Sequence, residues 1–249
     1  MARIDDLVHA ALKNLGEKPP DEGPQAPKKN YSQDLSTALA LAFAQELRHR
    51  GMDNARPAGP GEISSGSGAE RRLAGGIGAK KVDVTWATEE SGLLLGVSIK
   101  TIMFRDGKSQ NYQKNLTNRR ESMLFESVTL HRRFPYAVLG GFLFLDQGAE
   151  HDGTQRRRST FANSFPRFRL FTDRRDPGSR DEKFERLYLL LVDANAFNPS
   201  VRCFHVADDD PDQPTEIALD DAVTYLVELL AERNFDTYDT DGNGNIHKS

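Results

Sequence analysis

Residues 80–101 read KKVDVTWATEESGLLLGVSIKT, and this stretch decides the fold. Val82, Val84 and Trp86 alternate with Asp83 and Thr85, the two-residue period of a half-buried strand over residues 80–86. The polar ATEESG at 87–92 reads as a turn, and LLLGVSIKT at 93–101 as a second, more deeply buried strand. The two form a hairpin whose centre is apolar apart from Asp83, Ser98 and Lys100. Downstream, residues 114–133 have the pattern of a helix that stops at Phe134-Pro135, because the residue before proline is driven out of helical geometry. YAVLGGFLFLD at 136–146 is apolar throughout and reads as a central strand. A helix at 159–172, strands at 186–192 and 201–206, and a helix at 219–233 follow.

Upstream, Leu35, Leu39, Ala42, Phe43 and Leu47 predict a heavily buried helix over residues 32–50. GEKPPDEGPQAPKK, 16–29, reads as a proline-rich linker, preceded by a short amphipathic helix at 2–15. A glycine-rich approach without clear period joins the long helix to the hairpin, and irregular segments of such length are often functional. The order predicts an α/β chain with a mixed central sheet flanked by helices. Three segments are expected: an N-terminal helix and linker at 1–31, a core at 32–206, and an acidic helical segment with a flexible tail at 207–249.

Composition narrows the function classes. No run approaches the roughly 18 apolar residues of a membrane span, and acidic residues interrupt the apolar start, MARIDDLVHAAL, so it does not read as a secretory signal. Cys203 is the single cysteine, which rules out an intrachain disulfide or a thiolate zinc cluster. A cytoplasmic protein is expected. Twelve acidic and two basic residues lie from Asp208 onward, a balance of −10 against −4 for the whole chain, which leaves +6 on the residues before it. A basic body under an acidic tail is compatible with a polyanionic partner, which the overall charge conceals.

In the hairpin, side chains alternate, so Ser98 and Lys100 share one face while Val97 and Ile99 take the other. Pairing through the 87–92 turn brings Asp83 near the Ser98–Lys100 end. A carboxylate and an ammonium set in an apolar sheet must pair or hold an ion. Phosphodiester hydrolysis uses such a set: carboxylates hold a divalent cation, and a lysine orients water and offsets the charge developing on phosphorus. The bland alternative is a salt bridge at a sheet edge.

With Asp83 in KKVDV, Ser98-Ile99-Lys100 in GVSIKT and helix–strand–strand–helix–strand order over residues 32–146, the chain resembles the PD-(D/E)XK nuclease superfamily. The resemblance implies a restriction-endonuclease-like core and Mg²⁺-dependent (or Mn²⁺-dependent) cleavage of DNA. It also implies a restriction or anti-phage defence role, with a homodimer or a separate defence or modification subunit as possible company. The family usually carries Asp or Glu where this chain has Ser98, and a hydroxyl is a poorer Mg²⁺ ligand than a carboxylate. Members lacking that acid take one from elsewhere, often from the preceding helix. Glu46 is the first candidate, Glu70 the second and Glu62 the third, with the carbonyl of Ile99 as a further ligand. The expected catalytic set is therefore Asp83, Lys100, Glu46 and Ser98, with Asp83, Glu46 or Glu70, and Ile99 holding the metal.

Candidate phosphate contacts surround this set. GGIGAKK, 75–81, offers glycines that let a phosphate approach the backbone and two cations, Lys80 and Lys81, although an ordinary loop reads equally well. Lys114 and Arg119 open the next helix, where Gln113, Asn115 and Asn118 could also face the site. Arg156, Arg157 and Arg158 begin an arginine-rich run in which Phe161, Phe165, Phe168 and Phe171 are spaced as a core-facing stripe. DTDGNGNIHKS, from Asp239, matches the start of an EF-hand loop but ends before the bidentate Glu at its twelfth position. It is read as flexible tail and not as a calcium site. Two rival readings stand beside the nuclease: a nuclease fold that lost its metal and only binds nucleic acid or a partner, and a calcium-responsive interaction protein built on the tail.

Overall fold

The computed structural model describes residues 2–64, 67–207 and 214–249, so the acidic run at 208–213 and two positions of the glycine-rich approach lie outside the described residues. Among the described residues the protein is mixed α/β, with five α-helices and one six-stranded mixed sheet. Helices α1 (Arg3–Leu15) and α2 (Gln25–His49) precede a two-stranded ribbon of β1 (Arg72–Ala74) and β2 (Ala79–Lys81). The main sheet holds β3 (Val84–Thr88), β4 (Gly92–Ile102), β5 (Val138–Asp146), β6 (Arg186–Asp193), β7 (Ser200–His205) and β8 (Thr215–Ile217), in that spatial order. Between its strands come α3 (Leu116–His131), α4 (Thr160–Phe168) and a 3-10 turn, Arg169–Phe171; α5 (Leu219–Arg233) and a hairpin of β9 (Tyr238–Thr240) and β10 (Ile246–Lys248) close the chain.

β4, β5 and β6 run parallel and form the centre, while β3 on one side and β7 and β8 on the other pair antiparallel. Both faces are covered. Val97 and Ile99 of β4, Phe142 of β5 and Leu190 of β6 share one core with α1, α2 and α5. Ile102, Leu143 and Leu189 share the other with Met123 and Leu130 of α3 and Phe161, Phe165 and Phe168 of α4. The phenylalanine stripe therefore packs inward, as its spacing predicts. No described helix is long and apolar enough to cross a membrane.

Three readings of the sequence are corrected. The linker is shorter than expected, because α2 begins at Gln25 and carries Pro27 in its first turn. Proline is tolerated there, where backbone N–H groups have no helical partner anyway. The single strand expected at 80–86 is two strands, β2 and β3, belonging to different sheets, with Asp83 at the bend between them. The C-terminus is a docked hairpin. Tyr238 and Ile246 are buried in the core of the α1–α2–α5 side, the ring of Tyr238 meets Trp86 edge-on at 5.1 Å, and the N–H of Ile246 donates to the Arg50 carbonyl at 2.7 Å.

Trimming this anchor, Ile246→Ala, is expected to cost about 2 kcal/mol, read as a lower thermal midpoint. Millimolar Ca²⁺ is expected to leave the wild-type midpoint unmoved. Both Asp241 carboxylate oxygens already accept hydrogen bonds inside the loop, Oδ1 from the N–H groups of Asn243 and Asn245 and Oδ2 from Asn245 Nδ2. A rise of several degrees on adding Ca²⁺ would restore the calcium reading.

Candidate functional site

The site forms where β3 stops pairing with β4. Val84 stands opposite Val97, so Asp83 arrives one residue beyond the ladder, beside Ser98 and Ile99. Its Oδ2 accepts the N–H of Ile99 at 2.7 Å and the ammonium of Lys100 at 2.9 Å. Asp83 thus replaces the missing strand as an acceptor, which fixes the carboxylate against the edge of β4. Lys100 Nζ also donates to the Ile99 carbonyl at 3.2 Å.

The second carboxylate comes from α3. Glu126 is 1% exposed, and its Oε2 lies 3.5 Å from Lys100 Nζ, an ion pair without hydrogen-bond geometry; Lys80 Nζ lies 3.9 Å from the same oxygen. Neither Glu126 oxygen has a hydrogen-bond partner. Gly141 of β5 is paired with Ser98, and a Cβ there would come within 2.3 Å of Leu187 Cδ2 and 2.6 Å of the side-chain end of Met123. Met123 packs into the core on this face of the sheet, and Glu126, one turn further along α3, reaches Lys100. Arg119 sits two turns earlier on α3, partly buried, its Nε without a hydrogen-bond partner. Burial lowers its pKa, and the charge of Asp83 opposes that shift.

The electrostatics follow from this burial. Desolvation raises the pKa of Glu126, against the opposing pull of Lys100. Desolvation pulls Lys100 down, but Glu126 and Asp83 outweigh it and its pKa ends raised. Three oxygens, Asp83 Oδ2, Glu126 Oε2 and the Ile99 carbonyl, therefore surround one cationic nitrogen. The Ser98 hydroxyl is buried without a hydrogen-bond partner.

None of the three glutamates expected from the sequence joins Asp83. Glu46 lies on α2, which packs on the opposite face of the sheet; it pairs with Arg50 at 2.7 Å and Arg3 at 3.4 Å. Glu70 pairs with Lys81, and Glu62 with Arg48 and Gln45. Glu46 and Glu70 therefore do not stand beside Asp83, and the carboxylate that meets Lys100 across from Asp83 is that of Glu126. Of the expected phosphate contacts, Lys80 and Arg119 are at the site. Lys81 is turned to Glu70, Lys114 pairs with Asp106, and Arg157 donates to the Asp152 carbonyl at 2.7 Å, while Arg156 and Arg158 are exposed beside it. Gln113 is engaged by Asn163 of α4.

Among the described residues no group of three or more His, Cys, Asp or Glu side chains is placed to hold a metal. A divalent ion here would rest on two carboxylates, one carbonyl and water. That donor set is all oxygen, which suits Mg²⁺ or Mn²⁺, and Glu126, held only by ion pairs to Lys100 and Lys80, has a carboxylate to offer. Comparison with known proteins adds no name: no family model, no curated protein and no solved structure matches this chain.

Proposed function

We propose that this protein is a divalent-metal-dependent phosphodiesterase acting on DNA, built on a restriction-endonuclease-like core in which Glu126 replaces the acid that Ser98 lacks. The convergence of Asp83, Glu126 and the Ile99 carbonyl on Lys100 carries the reading. The succession of α2, the β3–β4 hairpin, α3 and β5 is also consistent with the helix–strand–strand–helix–strand order of the PD-(D/E)XK resemblance. Asp83, Glu126 and the Ile99 carbonyl would hold Mg²⁺ or Mn²⁺. The bound ion supplies Lewis-acid charge and a lower pKa for coordinated water.

The chain's own groups do the rest. Lys100, moved from between the carboxylates, orients the attacking water and faces the charge that grows on the phosphoryl oxygens. Lys80 and Arg119 are the cations that would face the flanking backbone phosphates, held there by charge complementarity. The resemblance extends the proposal to a cytoplasmic restriction or defence role.

The test is cleavage of supercoiled plasmid and of circular single-stranded DNA in Mg²⁺, in Mn²⁺ and in EDTA. Wild type is expected to cut with metal only, and Lys100→Ala, shown folded by circular dichroism, to lose at least a hundredfold in rate. Folded wild type that leaves both DNAs intact in either metal would leave the metal-free binding module as the better reading.

A further inference from the structure

Phe125 and Glu126 are neighbours on α3 and face opposite environments: Glu126 is buried, while Phe125 is 49% exposed. Lys80 joins them, its Nζ 5.7 Å from the centroid of the Phe125 ring and 3.9 Å from Glu126 Oε2. Ring, ammonium and carboxylate form one continuous edge of the site. The edge is held in place. The turn of the β1–β2 ribbon lies on the next turn of α3, where Gly76 N–H donates to the Thr129 carbonyl at 2.8 Å. A Cβ on Gly75 would come within 2.3 Å of Thr129 Cγ2, and one on Gly76 within 2.3 Å of Arg132 Cβ, so only glycine fits this contact. Thr129 in turn donates to the Phe125 carbonyl at 2.6 Å. Ile77, at the tip of the ribbon, is 48% exposed.

We propose that Phe125 is a stacking platform for an unpaired base next to the phosphate that would bind through the metal ion of Asp83 and Glu126, with Lys80 facing the phosphate between them. The substrate class is then nucleic acid that presents unpaired bases, such as a single strand, an overhang or a frayed end. A base inside a duplex already has neighbours on both faces and offers nothing to a flat ring from the side. An unpaired base exposes a π-face whatever its identity, so the platform is sequence-tolerant. The adjacent cation suits the negative chain that carries the base, which an apolar protein partner would not require.

The proposal rests on the phosphodiesterase reading, and the test separates them. Binding of a dye-labelled single strand and of the blunt duplex of the same sequence is followed by anisotropy in low salt, with Ca²⁺ replacing Mg²⁺. Wild type is expected to prefer the single strand. Phe125→Ala should lose about tenfold on the single strand and little on the duplex, whereas Phe125→Trp keeps the affinity. The new indole of Phe125→Trp is expected to be quenched by the single strand. Equal affinities of wild type and Phe125→Ala for both DNAs, an equal loss on both, or an unquenched indole would overturn the platform. Metal-dependent plasmid cleavage by Phe125→Ala would still leave the hydrolytic reading standing.

Discussion

Glu126→Gln is expected to lower metal-dependent cleavage by about 10³-fold or more while leaving the fold intact. The amide keeps the shape of the carboxylate but cannot provide an anionic ligand, and Lys100 retains Asp83 as a partner at 2.9 Å. Calorimetry with Mg²⁺ or Mn²⁺ should show the loss of affinity directly. Stability gives an independent signature. Burial raises the pKa of Glu126 above its ordinary value, so its contribution to the fold is complete below about pH 4.3 and declines as pH rises through the folded value. The Gln variant lacks that decline, and its denaturation midpoint should vary less over the same range. Wild-type activity should rise with pH through a value above the usual carboxylate range, moving down as metal concentration rises, because the ion and the proton compete for the same oxygens. Glu46→Gln, whose side chain pairs with Arg3 and Arg50 across the sheet, is expected to keep the rate per folded molecule. Cleavage by Glu126→Gln within a few-fold of wild type would remove Glu126 from the site.

That contrast between two glutamates shows where sequence reasoning ran out. The meeting of Asp83 and Lys100 was legible in outline because it is local, two polar residues in apolar strands joined by a short turn, whereas the bulge between Trp86 and Ala87 that sets the final register was not. The central strands were legible for the same reason, as apolar runs too continuous for a one-sided sheet. The partner of Asp83 was not, because it depends on how α3 is rotated and how closely it settles, and core contacts distant in sequence, those of Met123 and Leu130 among them, decide that. Both Glu46 and Glu126 lie on the apolar faces of helices, so polarity alone could not separate them. A finer signal was present. Glu46 has Arg50 four residues on, its partner along the helix, whereas Glu126 has Ser122, Met123, Thr129 and Leu130 at the three- and four-residue positions. An acid on an apolar stripe with no helical partner must find its counter-charge on another element. The docked tail escaped for a related reason: acidic and glycine-rich composition hid two anchors, Tyr238 and Ile246, that only the groove beside α2 and α5 reveals.

The largest loss of stability is expected at Glu185, outside the candidate site. This carboxylate, just before β6, is fully buried and accepts the Leu139 N–H at 2.7 Å, Arg233 Nη1 at 2.6 Å and Arg174 Nη1 at 3.1 Å, with His131 Nε2 at 3.3 Å. Burial pushes its pKa up, but His131, Arg233 and the Leu139 N–H together outweigh burial, and the pKa ends lowered. The charge is therefore wanted by its surroundings. Glu185→Ala would take the shared counter-charge from two buried guanidinium groups, leaving Arg174 the carbonyls of Pro135 and Pro177 and Arg233 those of Ala137 and Arg174, and would strand a β5 N–H, at a cost of roughly 3–5 kcal/mol. For a chain of this length that is a fall of about 10 °C in thermal midpoint. Because the folded pKa lies below the unfolded one, the stabilisation is full above about pH 4.3 and is lost as pH falls through the folded value, so the variant's deficit should shrink under acid. His131 closes α3 and Arg233 closes α5, so the same carboxylate ties to the sheet the helix that carries Arg119, Phe125 and Glu126. Loosening it should thus weaken the site as well as the fold: Glu185→Gln, which keeps an acceptor but not the charge, is expected to fall between the two in midpoint. A Glu185→Ala protein melting within a degree or two of wild type at neutral pH would mean that the backbone acceptors suffice for the guanidinium groups, and that this carboxylate is not what holds α3 to the sheet.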